Sequence, residues 1–359
     1  MVTGWLAPLT VPAAGFFRLA LAVRARAYAA HPAWRARLPA PSFGVGNVSL
    51  GGTGKTTMVS HLTARLEERG LRVGILSRGY ARPAPSAGPV VVSRGAGLEV
   101  SWEEAGDEPT LLARRHPGAV VVVDGDRRRA AELAVRDSGA EALVLDDAFQ
   151  HWRVRCDLDI VMIDAARPPW TDHLLPWGRL REPARAAARA HLVVLVSTDA
   201  SGEPAGGKAP VWWGRDGAFP PVLKAVYDAR GLRRGTEPLV AAGALGGRRA
   251  YLFSGLGNPA AFEATARSLG LEIAGHWRFR DHHRFRPRDL AEIARRARHA
   301  GAELVVTTAK DEVRLPPAGG EGERWILEVG LCFPQGEDVL AGLVEQVLHR
   351  RQEGWVGHL

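Results

Sequence analysis

The residues best suited to chemistry form a glycine-rich stretch near the start of the chain, followed by Lys55 and Thr56. Glycines let backbone N–H groups turn toward an anion without a Cβ in the way, and a helix that starts here adds positive potential. In such a loop the lysine reaches the outer phosphates of a nucleoside triphosphate, and the threonine hydroxyl holds Mg²⁺. The predicted nucleotide contacts are Asn47, Ser49, Gly51, Gly52, Thr53, Gly54, Lys55, Thr56 and Thr57.

One position departs from the usual pattern G-x-x-x-x-G-K-[ST], because Ser49 stands where the first glycine is expected. Gly46, Gly51 and Gly52 spread the backbone freedom over a longer loop instead. The alternative is a glycine-rich turn that binds nothing. However, a lysine at the start of a helix has little structural purpose without an anion.

Two adjacent carboxylates, Asp146 and Asp147, follow an apolar run that ends at Leu145. In a parallel sheet such strand ends lie beside the phosphate loop, where carboxylates can reach Mg²⁺ directly or through water. Asp124 ends another apolar run and competes for this role. The adjacent pair is favoured, since two carboxylates followed by polar side chains such as His151 are costly to place there without a cation.

Other polar residues stand at predicted strand ends or helix starts, and their spacing alone leaves several roles open. Asp107 could be an ordinary helix N-cap. Asp281 and His282 could form an acid–base or orienting pair, although a His-His sequence such as this one is more often part of a surface loop. The remaining candidates at this edge are Arg78, Tyr80 and Lys310.

The elements that would position these residues alternate along the first half of the chain. Apolar runs occur at 72–76, 119–123, 142–145, 158–163 and 191–196. Helical patterns lie between them, near 55–69, 107–116, 126–138 and 182–190. Continuous runs of Val, Leu and Ile between helices indicate parallel strands that are buried on both faces. We therefore predict an α/β fold of the P-loop NTPase type, a doubly wound parallel sheet with the phosphate loop after its first strand.

A second, smaller α/β set follows a stretch rich in Gly, Pro, Ala and Ser. Its predicted strands are 249–254, 303–308 and 325–329, and its predicted helices lie near 259–269, 287–300 and 336–351. The expected organisation is a membrane-associating segment, a P-loop kinase-type domain, a linker and a C-terminal α/β domain that completes the cleft. Their bounds are 1–40, 41–200, 201–225 and 226–359.

The N-terminal segment carries an amphipathic pattern beside several arginines. Its apolar face consists of Phe16, Leu19, Ala20, Val23 and Ala27. Prolines and Arg18 interrupt the apolar run, so no uncharged stretch approaches the roughly 18–20 residues that a spanning helix needs. A helix lying in the membrane interface fits this pattern, and a helix packed on the protein's own core is the alternative.

The composition is that of a globular chain, with 46% apolar and 24% charged residues. A net charge of +8 favours an anionic partner, although a genome-wide preference for arginine would produce the same excess. Sparse lysine and the lack of interleaved aromatic and basic residues argue against a nucleic-acid binder. Two cysteines form neither a disulfide framework nor a metal cluster, which indicates a reducing compartment.

Seven motifs occur in a fixed order along the chain: G-N-V-S-L-G-G-T-G-K-T, L-S-R-G-Y, G-D-E-P-x-L-L-A, D-D-A-F-Q-H, L-L-P-W-G-R-L-R-E-P, D-H-H-x-F and T-x-A-K-D. Together they closely resemble the tetraacyldisaccharide 4′-kinase family of Gram-negative bacteria, from the N-terminal segment to about residue 315. The resemblance implies phosphorylation of the 4′-hydroxyl of a tetraacylated glucosamine disaccharide 1-phosphate, giving lipid IV-A, with ATP and Mg²⁺ as cofactors. It also implies an enzyme at the cytoplasmic face of the inner membrane.

The resemblance further implies roles for individual residues. Asp107 resembles the catalytic base, supported by Asp281 and His282, and Lys55 keeps its catalytic phosphate contact. The implied metal site consists of Thr56, Glu108, Asp146 and Asp147. Lys310 is expected to contact the nucleotide, and the implied substrate-side residues are Arg78, Tyr80, His151 and Glu182. The chain departs from the family pattern at Thr57, Ala148 and Ala309, none of which is a proposed base or carboxylate ligand.

A membrane-associated switch ATPase of the partitioning or division-positioning type is the alternative, because its Gly-Gly-x-Gly-Lys-Thr-Thr loop is similar to residues 51–57. Those proteins typically carry a lysine just before the glycine pair, where this chain has Leu50. They also lack the D-D-x-F-Q-H and D-H-H elements. The expected partners are therefore a lipid substrate and a membrane surface, and the sequence leaves the oligomeric state open.

Overall fold

One twelve-stranded sheet runs through the computed structural model, which describes residues 7–79, 82, 88–197, 220–235, 237–316 and 324–353. The strands are β1 (Ala36–Arg37), β2 (Ser42–Gly46), β3 (Val73–Ser77), β4 (Val90–Arg94), β5 (Val120–Val123), β6 (Ala142–Asp146), β7 (Val154–Arg155), β8 (Leu158–Asp164), β9 (Leu192–Ser197), β10 (Val222–Arg233), β11 (Arg249–Ser254), β12 (Glu272–Arg278), β13 (Leu304–Thr308) and β14 (Arg324–Cys332). The helices are α1 (Ala7–Ala30), α2 (Lys55–Glu67), α3 (Trp102–Ala105), α4 (Asp107–Arg115), α5 (Arg127–Arg136), α6 (Pro259–Ser268), α7 (Pro287–His299), α8 (Ala309–Glu312) and α9 (Glu337–Gln352).

The strand order is β12-β11-β13-β14-β10-β9-β8-β2-β6-β3-β5-β4, with β1 and β7 forming a separate pair. Strands β4 and β14 run antiparallel to β5 and β10, and the other neighbours are parallel. Strand β2 lies between β6 and β8, so the loop that follows it opens beside the end of β6. The predicted α/β class and mostly parallel sheet are confirmed.

The central strands are buried on both faces, as their continuous apolar runs predicted. The side chains of β2, β3, β5, β6 and β9 are buried throughout. Helix α2 covers one face through Met58, Val59, Leu62 and Leu66, while α5 packs its alanines against β3 and β5. Because both layers are apolar, the polar residues at the strand ends are left at one edge of the sheet.

Strand β10 was missed, and it begins at Val222 inside the segment 201–225 that was predicted as a linker. Its side chains alternate between exposed and buried at first and contain several charges, so no continuous apolar run marks it. The segment predicted as a helix near 182–190 forms a 3₁₀-helix, Ala184–Arg189, because only six residues separate Pro183 from the extended Ala190. Such a short segment gains little from α-helical bonds.

Helix α1 forms where the amphipathic pattern predicted it. Phe16, Leu19 and Val23 are 76%, 59% and 57% exposed. The helix contacts the rest of the protein through Arg24 and Tyr28. Arg24 donates a 2.8 Å hydrogen bond to the carbonyl oxygen of Gln150, and both side chains pack on the Trp152 ring. Within the described ranges, no helix is both long and apolar enough to cross a bilayer.

Candidate active site

The phosphate loop connects β2 to α2, and local contacts hold its shape. Gly54 caps α2 with a φ of 80°, a conformation that glycine adopts without strain. The buried Asn47 amide donates a 3.0 Å hydrogen bond to Thr53 Oγ1, so this residue supports the loop from below. Lys55 and Thr56 consequently start the helix with their side chains at a cavity.

A cavity of about 470 Å³ opens over this loop, which is a size suited to a nucleotide. Its floor is formed by residues 50–57 and its far wall by residues of β14, α6 and the loop after β11. Most predicted site residues meet here, namely Lys55, Thr56, Arg78, Glu108, Asp146, Asp147, Asp281, His282 and Lys310. Parts of the chain that are far apart in sequence therefore converge on one cleft.

Asp107 and His282 meet across this cleft, with 2.8 Å between Asp107 Oδ2 and His282 Nδ1. Asp107 is 4% exposed, whereas His282 and Asp281 line the cavity. Burial alone would raise the pKa of Asp107, but the hydrogen bond with His282 and the charges of Lys310 and Arg314 lower it to about 2. The result is an ionised carboxylate that orients a histidine toward the cavity.

His282 has a φ of 58°, which places it in the left-handed region. Non-glycine residues adopt this conformation rarely, and it is found most often where the surrounding structure enforces it. Its backbone N–H contacts Asp281 Oδ1 at 3.1 Å and the carbonyl oxygen of Gly255 at 3.2 Å. The loop after β12 is thereby shaped to deliver the imidazole to Asp107.

Lys310 extends the charged wall of the cavity, with its Nζ 2.9 Å from Glu108 Oε1. The positive charge of Lys310 is the main cause that lowers the pKa of Glu108, and Glu108 in turn raises the pKa of Lys310 against the effect of burial. Both side chains are therefore ionised. Since Glu108 follows Asp107 in α4, this pair and the Asp107–His282 pair tie the same helix turn to the C-terminal half.

Asp146 and Asp147 lie in different electrostatic surroundings. Asp147 contacts Arg181 Nη1 at 2.8 Å and Lys55 Nζ at 3.5 Å, and these charges lower its pKa despite burial. Asp146 is 2% exposed, and its Oδ1 has no hydrogen-bond partner in the described part of the chain. Burial, with the nearby charges of Glu108 and Asp147, raises the pKa of Asp146 to about 7.

These surroundings allow the predicted metal site to be tested against the structure. Among the described residues, no three His, Cys, Asp or Glu side chains are arranged as a ready metal cluster. Mg²⁺ is usually held by only one or two carboxylates together with substrate phosphates and water. Asp146 Oδ1, which is buried and has no hydrogen-bond partner among the residues that the structure describes, fits that donor set together with Thr56, since both residues line the cavity. Asp147 already contacts the cationic side chains of Lys55 and Arg181.

Several predicted site residues lie outside the cavity wall formed by the described residues. Asn47 and Ser49 support the loop, and Ser49 forms an isolated antiparallel β-bridge with Leu180. His151 is half-buried beyond the end of β6, and burial with the charge of Arg127 lowers its pKa to about 4. Tyr80 lies outside the described residues. Glu182 is buried and does not line the cavity.

Glu182 is 3% exposed and accepts hydrogen bonds of 2.7 and 3.2 Å from the Arg189 guanidinium, and one of 3.1 Å from Gln150. This arrangement indicates a structural role. We expect Glu182→Gln to lower the free energy of unfolding by about 2 kcal/mol, because a buried ion pair loses its charge. Thermal or urea unfolding measures this, with the exposed Glu345→Gln as a control near zero. A raised KM for the acceptor substrate at unchanged stability would contradict it.

Three arginines at the site were not singled out from the sequence. Arg181 holds Asp147, and the buried Arg314 lies 3.5 Å from Asp107 while also bonding the carbonyl oxygen of Gly255. Arg127 donates a 3.1 Å hydrogen bond to the carbonyl oxygen of Asp146. Of the three, only Arg181 could have been identified from the sequence, since it belongs to one of the seven motifs. The other two are recognisable only from their burial.

The chain is similar to known proteins over most of its length. The family model "Tetraacyldisaccharide-1-P 4′-kinase" matches residues 6–349. A tetraacyldisaccharide 4′-kinase of Anaeromyxobacter sp. is 42% identical, covering 96% of this chain and 92% of the relative, and one of Syntrophus aciditrophicus is 40% identical, covering 84% and 82%. A crystal structure of LpxK from Aquifex aeolicus in complex with ATP is 30% identical with a TM-score of 0.75, covering 97% of this chain and all of the other.

Proposed function

The chain belongs to the tetraacyldisaccharide-1-P 4′-kinase family, whose members catalyse a kinase step of lipid A biosynthesis. From this premise we propose the role of each residue at the site. The phosphate loop binds ATP, and the Asp107–His282 pair activates the acceptor hydroxyl. The observation that carries this proposal is the 2.8 Å hydrogen bond between these two residues at the edge of the nucleotide-sized cavity. The switch-ATPase alternative lacks support, because it requires neither the pair nor an acceptor.

Nucleotide binding rests on the loop and the cations that face it. Backbone N–H groups of residues 51–56 and the start of α2 supply a site for phosphate oxygens. Lys55 contributes its charge at the outer phosphates, and Lys310 faces the same cavity from the C-terminal half. Both cations would stabilise the negative charge that develops on the transferred phosphoryl group.

The acceptor hydroxyl loses its proton as its oxygen bonds to the γ-phosphorus, and the pair takes that proton. Asp107 is ionised, because its pKa is lowered to about 2, and in the proposed mechanism it accepts the Nδ1 hydrogen of His282. The other ring nitrogen, Nε2, lies 3.9 Å from Asp281 Oδ1 and would accept the hydroxyl proton at the cavity. Asp107 also stabilises the imidazolium that forms, so we treat the two residues as one base.

The residues at the cavity also fit Mg²⁺. Asp146 and Thr56 would hold the ion, with Glu108 close enough to add negative charge. When bound, Mg²⁺ neutralises phosphate charge during transfer. Asp146 Oδ1 has no hydrogen-bond partner within the described ranges, which supports this assignment, because a buried carboxylate oxygen is costly without a hydrogen bond or a cation.

The direct test is transfer of labelled γ-phosphate from ATP to a tetraacyl disaccharide 1-phosphate in detergent micelles, with and without Mg²⁺. We expect label at the 4′ position only when Mg²⁺ is present. Label elsewhere on the lipid would contradict the acceptor assignment. Absence of transfer, together with ATP hydrolysis that bare membranes stimulate, would overturn the kinase proposal in favour of a switch ATPase.

We also propose that α1 binds the cytoplasmic face of the inner membrane, since its exposed apolar residues lie beside arginines that suit acidic headgroups. Replacing Phe16, Leu19 and Val23 together by serine should reduce sedimentation with anionic vesicles at least about tenfold. The control replaces Leu98, Leu239 and Val339, which are exposed elsewhere. If the two triple variants bind the vesicles equally well, the proposal is wrong and α1 is a helix that packs on the protein itself.

The domain bounds 1–40, 41–200, 201–225 and 226–359 are kept as a proposal. The division into two α/β domains is supported by the cavity, which has α2, α4 and β6 on one side and α6, α8 and the loop after β12 on the other. The linker is the one exception: we propose that it ends before Val222 and not at residue 225, because β10 starts there and pairs with both β9 and β14.

A further inference from the structure

A buried arginine, Arg314, lies behind the active site, just after α8. It is 2% exposed and is not one of the residues that line the cavity. Placing a guanidinium in the protein interior is costly unless its charge is paired and its N–H groups are hydrogen-bonded. The contacts that Arg314 makes therefore indicate why a positive charge is buried here.

Arg314 and Asp311 together hold both backbone groups of Gly255, the first residue of the loop after β11. The Gly255 N–H donates a 2.9 Å hydrogen bond to Asp311 Oδ1, and Arg314 Nη2 donates one of 3.0 Å to the Gly255 carbonyl oxygen. Arg314 Nη2 also lies 2.5 Å from Asp311 Oδ1, and Asp311 is fully buried. Charge-assisted hydrogen bonds are stronger than neutral ones, so this buried ion pair fixes the position of Gly255.

The Gly255 carbonyl oxygen connects Arg314 to the backbone of His282. It accepts the His282 N–H at 3.2 Å as well as the Arg314 guanidinium. His282 has a φ of 58°, a conformation that persists only where the surrounding structure enforces it. Displacement of the Gly255 carbonyl group would weaken one of the contacts that hold this backbone, and the imidazole would move with it.

Arg314 also approaches Asp107 directly. Its Nη1 lies 3.5 Å from Asp107 Oδ2, the same oxygen that is 2.8 Å from His282 Nδ1. Within the described ranges, neither Nη1 nor Nε of Arg314 has a hydrogen-bond partner. A buried cation whose hydrogen bonding is incomplete is a poor choice for stability alone, which favours a role in the reaction.

We propose that Arg314 is a positioning residue for phosphoryl transfer, a proposal that rests on the proposed function. Arg314 acts through His282, because it fixes the loop after β11 so that the imidazole meets Asp107 in the geometry that proton transfer needs. A displacement of about 1 Å at a reacting group can cost about 100-fold in rate. Lysine cannot substitute for this arginine, since a compact ammonium lacks the planar fork that reaches both Gly255 and Asp107.

The test is a double-variant cycle of Arg314→Lys and His282→Asn. Activity is measured as transfer of labelled γ-phosphate to the tetraacyl disaccharide 1-phosphate in detergent micelles. On its own, Arg314→Lys should lower kcat about 10- to 100-fold, while the KM values for ATP and for the acceptor stay within about twofold of wild type. In the His282→Asn background, Arg314→Lys should change the rate by less than about twofold, because the imidazole that it positions is absent.

Arg127→Lys is the matched control, since Arg127 is 1% exposed and its Nε also lacks a hydrogen-bond partner in the part of the chain that the structure describes. Arg127 donates a 3.1 Å hydrogen bond to the carbonyl oxygen of Asp146 and also bonds that of Asp124. Neither contact involves the loop after β11. Any loss of rate in Arg127→Lys should therefore be the same with and without His282.

Gly255→Ala provides a second route that changes no buried charge. A Cβ at this position would lie 3.1 Å from the Arg280 carbonyl oxygen and 3.3 Å from Asp311 Oδ1, so the loop would shift by a few tenths of an ångström. We expect a smaller loss of kcat than in Arg314→Lys, again only when His282 is present. This variant carries the test if thermal unfolding shows that Arg314→Lys is unfolded at the assay temperature.

An equal loss from Arg314→Lys in both backgrounds would overturn the proposal, because it would mean that Arg314 only stabilises the fold. Unchanged kcat would also overturn it, as would a raised KM for either substrate without a change in kcat. Failure of the proposed function gives a different result, since His282→Asn alone would then keep near-normal transfer.

Discussion

Asp107→Asn is expected to lower kcat about 10²- to 10⁴-fold while ATP affinity stays within about twofold of wild type, because a general base is lost and no predicted nucleotide contact changes. With asparagine in place of the carboxylate, His282 loses the charge that orients it and stabilises its protonated form. Single-turnover transfer to the lipid acceptor measures the effect. The affinity for ATP is measured separately, by the binding of a fluorescent ATP analogue.

Asparagine is preferred to alanine because the buried Arg314 lies 3.5 Å from Asp107 Oδ2 and would lose a polar neighbour. Arg314 keeps its ion pair with Asp311, so thermal unfolding should shift only modestly. If the two residues act as one base, His282→Asn and the double variant should each lose about as much activity as Asp107→Asn. If the loss in the double variant equals the product of the two single losses, the residues act separately. Near-normal turnover by the Asp107→Asn variant would show that Asp107 is not part of the base.

Asp146→Asn is expected to lower phosphoryl transfer at least about 100-fold and to raise the Mg²⁺ concentration needed for half-maximal activity. The reason is that the buried Oδ1 of Asp146 has no protein partner among the described residues, and amide oxygen carries no charge to attract the ion. A titration of transfer rate against Mg²⁺ at saturating ATP checks this. Binding of metal-free ATP should change little.

Asp124→Asn is the matched control, since Asp124 is also a buried carboxylate at a strand end. Arg129 donates hydrogen bonds of 2.6 and 2.9 Å to it, and the Asp126 N–H donates one of 3.0 Å. These contacts lower the pKa of Asp124 despite its burial and complete its hydrogen bonding. An equal change of the Mg²⁺ requirement in both variants would contradict the assignment of the ion to Asp146.

The positions of the main elements were predictable because they depend on local patterns. Helix α2 begins at Lys55 as the glycine-rich loop required, and β6 ends at Asp146 as its apolar run indicated. Strand β10 was not predictable, since its charged and alternating sequence becomes a strand only through pairing with β9 and β14. The motifs likewise identified the candidate site residues without showing how they contact one another.

The sequence by itself determined the α/β class, the family, the phosphate loop and nearly half of the residues that line the cavity, because apolar periodicity and loop chemistry are properties of neighbouring residues. Tertiary structure alone decided which groups meet. It brought His282 to Asp107 across 175 positions, paired Glu182 with Arg189, and gave Asp124 hydrogen-bond partners, while Asp146 Oδ1 has none among the described residues. Hydrogen bonding and burial between distant segments depend on strand order and side-chain packing, and the spacing of residues along the chain does not contain that information.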